Sequence, residues 1–120
     1  MAYDDELAHR VRALLAPEDA VTEQRMFGGL AFLVDAKMAV AVSREGGLLL
    51  RIDPAQRDRL LARPGARVCV MQGREMDGWL RVDAEAVRTK RQLDAWVGRG
   101  VAYARSLPAK RGAGRGRSKR

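Results

Sequence analysis

The sequence predicts an α+β fold: a two-layer sandwich with a mostly antiparallel sheet and its helices gathered on one face. Three observations carry this. The first 16 residues hold one apolar stripe at helical spacing. A run of short apolar segments punctuated by turn residues follows, from Val21 to Val82. A long amphipathic stretch then closes the folded region at Pro108.

Leu7, Val11, Leu14 and Leu15 make the first stripe and predict a helix from Asp4 to Ala16. Asp4, Asp5 and Glu6 suit its positive end, and Pro17 ends it. Val21–Met26, Leu30–Val34, Lys37–Ser43 and Leu48–Ile52 read as strands, with turns at Gly28-Gly29, Asp35-Ala36 and Arg44-Glu-Gly-Gly47. The register of the central hairpin stays open. A two-residue loop pairs Val34 with Lys37 and Leu33 with Met38, whereas a loop one residue longer pairs Phe32 with Val40.

Asp53-Pro54 starts a short helix anchored by Leu60 and Leu61 and stopped at Arg63-Pro64-Gly65. Val68–Met71 is a fifth strand, Gln72–Gly78 a loop and Trp79–Val82 a sixth strand. Asp83–Val87 is a turn or one helical turn. The final helix runs from Thr89 to Leu107, with Leu93, Trp96, Val97, Val101 and Ala104 on its apolar face. Gly98 and Gly100 weaken it intrinsically, and small residues there suit close packing on the sheet. By alternation, Met38, Val40 and Val42 face the helices with Leu48, Leu50 and Ile52. Ala31, Ala39, Ala41 and Leu49 share a second, still apolar face, a basis for self-association or partner binding.

A chain of 120 residues makes one domain, here residues 1–107, followed by a low-complexity tail, 108–120, expected to be disordered. The tail carries Lys110, Arg111, Arg115, Arg117, Lys119 and Arg120 and no acid. The remaining 17 basic and 15 acidic side chains leave the body nearly neutral, so the charge of +8 belongs mainly to the tail. These six cations point to weak, sequence-independent contact with nucleic-acid phosphates, or to a simple solubilising role. The acidic N-terminus has no apolar signal core, no apolar run approaches the ~20 residues of a membrane span, and the single Cys69 excludes an internal disulfide. A cytoplasmic protein is the expectation.

No catalytic constellation is visible, and no cofactor or metal is expected. Phe27-Gly28-Gly29 lacks the Lys-Ser/Thr ending of a phosphate loop and reads as a turn or bulge. His9 lies opposite the apolar stripe, as a solvent-exposed residue. Cys69, in Val-Cys-Val-Met, reads as a small core hydrophobe rather than a redox sensor. Ser43, Ser106 and Ser118 have no evident base, and Glu75 and Asp77 read as loop acids rather than an acid–base pair. Met26, Met38, Met71 and Met76 are assigned to core packing, with an adaptable binding surface or ligand pocket as the alternative. Trp79 and Trp96 are taken as anchors between the layers.

One set of landmarks resembles the N-terminal domain of the TfoX/Sxy family, named for bacterial regulators of competence genes. They are Tyr3-Asp-Asp-Glu-Leu-Ala8, Arg25-Met26-Phe27-Gly28-Gly29-Leu-Ala-Phe32, Met38-Ala-Val40, Leu48-Leu-Leu-Arg51, Arg63-Pro-Gly-Ala66, Gly78-Trp79, and Trp96-Val97 with Ala104-Arg-Ser-Leu-Pro108. Their order and spacing, more than any one piece, make the resemblance specific. It implies a two-layer α/β sandwich similar to the secretion-chaperone-like class, and a regulatory role exercised through protein contacts, with transcription and competence as its setting. It supplies no active site, and the longer regulators carry a second domain where this chain has its basic tail. The expected function is therefore a non-enzymatic regulatory domain with a protein partner or a second copy of itself, tail-assisted on nucleic acid and without a membrane role. The alternative is a small-ligand-binding domain or an unassigned enzyme with a Met/Phe-lined pocket.

Overall fold

A computed structural model describes residues 4–26 and 28–107, without the side chains of Met71 and Asp77. The expectations placed on Tyr3, Phe27 and the six tail cations lie outside the described residues. Helix α1 spans Asp5–Leu15, and Asp4 caps it by accepting a hydrogen bond from the Leu7 N–H at 3.1 Å. Strands β1 (Val21–Met26), β2 (Gly29–Val34), β3 (Lys37–Val42) and β4 (Leu48–Arg51) follow as an antiparallel meander. A 3₁₀ turn at Pro54–Gln56, capped by Asp53, leads into α2 (Arg57–Leu61). Strands β5 (Ala66–Met71) and β6 (Arg74–Val82) form a hairpin, a second 3₁₀ turn covers Ala84–Val87, and α3 runs Lys90–Ser106. Thr89 and Gln92 close a reciprocal capping box at its start.

The six strands lie in the order β1-β2-β3-β4-β6-β5, every neighbour antiparallel. The excursion through α2 carries the chain past the β6 position, and the hairpin then returns β6 to pair with β4. The helices cover one face over a core that includes Val11, Phe32, Val40, Val42, Leu48, Leu50, Leu80, Leu93 and Trp96. The α+β sandwich read from the sequence is the fold.

The expected loop at Gln72–Gly78 is a correction. Only Gln72-Gly73 turns, with φ of 52° and 78°, and β6 begins at Arg74. Polar composition points to a loop, but Arg74 and Glu75 pair with Met71 and Val70 of β5, and a strand end tolerates exposed polar side chains.

Both alternatives for the β2–β3 register occur in one hairpin. Asp35-Ala36 is a two-residue turn that pairs Val34 with Lys37 and Leu33 with Met38. Ala39 is then an extra residue, and Phe32 pairs with Val40. The bulge reverses the side-chain phase. Met38 turns away from the helices, and Ala39, expected on the second face, is buried in the helix-facing core. It also lifts the Ala39 carbonyl toward α3. A Cβ on Gly100 would lie 2.5 Å from that oxygen and 3.0 Å from Leu50 Cδ1, whereas Gly98 has nothing within 4 Å. Gly100 is thus a contact requirement and Gly98 is not.

Three substitutions test this packing, each read as a denaturant midpoint. Gly98→Ala should stabilise the protein by about 0.5–1 kcal/mol through helix propensity. Gly100→Ala should destabilise it despite the same gain, because backbone stands in the way. Trp96 is only 5% exposed, so Trp96→Ala should cost about 3–5 kcal/mol.

Candidate functional site

The sheet face opposite the helices holds the clearest unassigned surface. Strand alternation brings Ala31, Ala41, Leu49 and Cys69 to its floor, where they are buried although no helix among the described residues covers them. Larger neighbours close over them: Met26 from β1, Leu33 from β2, Met38 from β3, and Met76 and Trp79 from β6, all partly buried. At one end Met26, Leu33, Met38 and Trp79 flank an open groove of about 890 Å³, which Thr22, Gln24, Lys37, Arg51 and Leu107 complete.

This arrangement revises the expected roles. Trp79 is not an anchor between the layers. It pairs across the sheet with Arg51, while its neighbour Leu80 pairs with Leu50 and points into the core. Trp96 does lie in the core between the layers. Met26, Met38 and Met76 belong to the second face rather than the helix-facing core, in line with the adaptable-surface alternative. No structural statement applies to the Met71 side chain. Phe32 is fully buried under the helices, so among the described residues methionine and Trp79 line the groove, where the alternative reading had methionine and phenylalanine.

Cations mark the face's borders. The Arg51 guanidinium carbon lies 5.7 Å from the Trp79 ring and 5.9 Å from the Tyr103 ring. Lys37 is buried, and its Nζ donates to the carbonyl of Leu107 at 2.9 Å, meeting the negative end of α3. Arg81, farther along, donates to Ser43 Oγ at 3.1 Å and pairs with Glu45 at 3.0 Å. Lys37 was not singled out in the sequence. Its signal, a cation directly after a hairpin turn, is common on exposed strands.

The remaining candidates have ordinary settings. Gly28 and Gly29 belong to the β1–β2 hairpin, and a Cβ on Gly29 would run into the Val42 carbonyl, so glycine there lets β2 approach β3. Gly78 sits within β6, where its carbonyl accepts from the Ile52 N–H at 2.9 Å. His9 is exposed on α1. Ser106 Oγ donates to the Tyr103 carbonyl, Ser118 lies outside the described residues, and Glu75 pairs with Arg57 at 2.9 Å. No statement applies to the Asp77 side chain. Among the described residues no group of three or more His, Cys, Asp or Glu is placed to hold a metal ion. No helix there is long and apolar enough to cross a membrane.

Cys69 is 1% exposed, and burial pushes its thiol pKa up, only partly opposed by the charge of Arg81. A raised folded-state pKa means the folded protein holds this proton more tightly than the unfolded chain. Its contribution to stability is full below the unfolded thiol value, about 8.5, and is lost as pH rises through the folded one. Cys69→Ala should flatten the alkaline decline of the melting temperature. A thiol reagent should label native Cys69 only as fast as the domain opens.

The matching family model is the TfoX N-terminal domain, over residues 13–104 of the 120-residue chain. No curated protein and no solved structure matches the chain. The matched region runs from the end of α1, through the complete sheet, to the last turn of α3. By this match, the chain belongs to the TfoX N-terminal domain family.

Proposed function

We propose that this chain is a non-enzymatic interaction domain that serves in regulation by docking a protein segment on the sheet face opposite the helices. The observation that carries this is the Met26–Leu33–Met38–Met76 surround of Trp79 on a face that no helix among the described residues covers. Unbranched methionines repack around different shapes at little cost, and a half-buried tryptophan beside them supplies an anchor of the kind that dominates interfaces. Contiguous apolar surface of this sort marks interaction sites on soluble domains. The family's regulatory setting points the same way, toward transcription in a cytoplasmic protein, with the basic tail adding phosphate contact.

The groove of about 890 Å³ favours a second reading, a small apolar ligand held against Trp79. Its openness and the wider apolar floor beyond it favour the larger partner.

Met38→Glu places a charge on the face without touching the helix-facing core, so the domain should still melt cooperatively. Affinity capture from cell extract, with nuclease present, should retain a protein on the wild type and lose it on this variant. Equal capture by both would remove the face from the mechanism. A small molecule released from natively purified wild type and absent from the variant would instead establish the second reading.

The tail has its own test. Six phosphate contacts contribute about −5 to the slope of log affinity for duplex DNA against log salt, about a thousandfold between 50 and 200 mM. Deleting residues 109–120 should remove that contribution and leave the melting curve unchanged.

A further inference from the structure

On the helix side of the sheet, Trp96 sits beneath a concentration of arginines. The Arg99 guanidinium carbon lies 4.8 Å from its ring. Arg99 joins Arg63 and Arg91 around an open cleft of about 470 Å³ between the Arg63-Pro64-Gly65 turn, the 3₁₀ turn at Ala84–Val87 and the outer side of α3. Among the described residues, none of these three arginines forms an ion pair with a carboxylate. Two acids line the same cleft, but Asp83 is held by Arg67 at 3.0 Å, which leaves only the exposed Glu85 uncommitted.

Three guanidinium groups thus face one free carboxylate. Burial, and after it the charge of Arg63, lowers the pKa of Arg99, as expected for two neighbouring cations with no anion between them. Stacking on Trp96 restricts Arg99 before any ligand arrives. Arg91 lies two helical turns earlier, with Ala95 between them as a small, exposed step. A planar guanidinium fork matches a phosphate's paired oxygens, and a fixed one loses less freedom on binding. Trp96 is itself buried and offers no face for a base to stack on, so recognition here is of the phosphate and not of sequence.

We propose that the Arg63–Arg91–Arg99 cleft is a phosphate-binding site on the folded domain, suited to backbone phosphates of nucleic acid and separate from the 108–120 tail. The same chemistry would take a free phosphate ester. The proposal does not depend on the opposite sheet face docking a protein.

The test uses the full chain, a labelled 20-base-pair duplex and, separately, inorganic phosphate. Anisotropy from 50 to 200 mM salt should give Arg63→Gln/Arg99→Gln a slope shallower than wild type by about 1.8, two lost phosphate contacts. Phosphate titration should move the Trp96 indole N–H resonance of wild type to saturation and leave that of the variant still. Both effects together establish the site with a nucleic-acid backbone as its source. A phosphate response with an unchanged duplex slope assigns it to free phosphate esters. An unchanged slope and no phosphate response overturn it. Should the double variant lose its cooperative melt, Arg91→Gln on the exposed helix surface reads the same slope, with an expected change of about 0.9.

Discussion

The contact between Gly100 and the Ala39 carbonyl sets the geometry of both layers. One extra residue in β3 brings a backbone oxygen out of the ladder, and α3 reaches it only because a residue without a side chain lies opposite. The same insertion makes Met38 and Ala39 exchange faces. The tight seam between helix and sheet and the methionine-rich character of the far face are two results of one irregularity. Helix α3 is anchored elsewhere too. Arg105 reaches Glu18 at 2.9 Å and Asp35 at 3.3 Å, joining its last turns to the α1–β1 connection and to the β2–β3 turn.

Where the sequence was legible, the physics was local. Asp4 and Pro17 bound the first helix, Asp53-Pro54 opens the second, and Leu93, Trp96, Val97, Val101 and Ala104 describe the buried stripe of the third. What could not be read was parity. Trp79 and Trp96 both sit in apolar company, and only cross-strand pairing shows that Trp79 shares a side with Arg51 rather than with Leu80. The Ala39 bulge likewise leaves no compositional mark, since alternation through Met38, Val40 and Val42 looks unbroken. Of the candidate face, Leu49, Ala31 and Ala41 were visible from alternation, whereas Met38 and Trp79 were assigned to the wrong side and Met26 and Met76 to core packing without a face. The arginine cleft was invisible because its members come from separate segments, joined only by the fold.

Net charge also conceals local arrangement. The near-balance of the body suggests an electrically featureless domain, yet its acids are unevenly spent. Glu23, Glu75, Asp83, Glu45 and Glu18 each meet an arginine. In Glu23 the effect is visible in its lowered pKa, caused first by the hydrogen bond from Arg12. Such exposed pairs add little stability individually. Their larger effect is spatial, because a carboxylate engaged at one place cannot neutralise an arginine at another.

The hydrogen bond from Lys37 to Leu107 fixes the C-terminal end of α3 against the start of β3. That point borders the Met/Trp groove. If both proposed contacts are made, a partner of the chain after Leu107 and a partner of the groove would lie close to one another. Two weak partners that are themselves linked, such as a protein already seated on nucleic acid, would meet this domain at the high effective concentration of a bivalent contact. Selectivity would then reside in their coincidence, with neither surface needing to bind strongly alone.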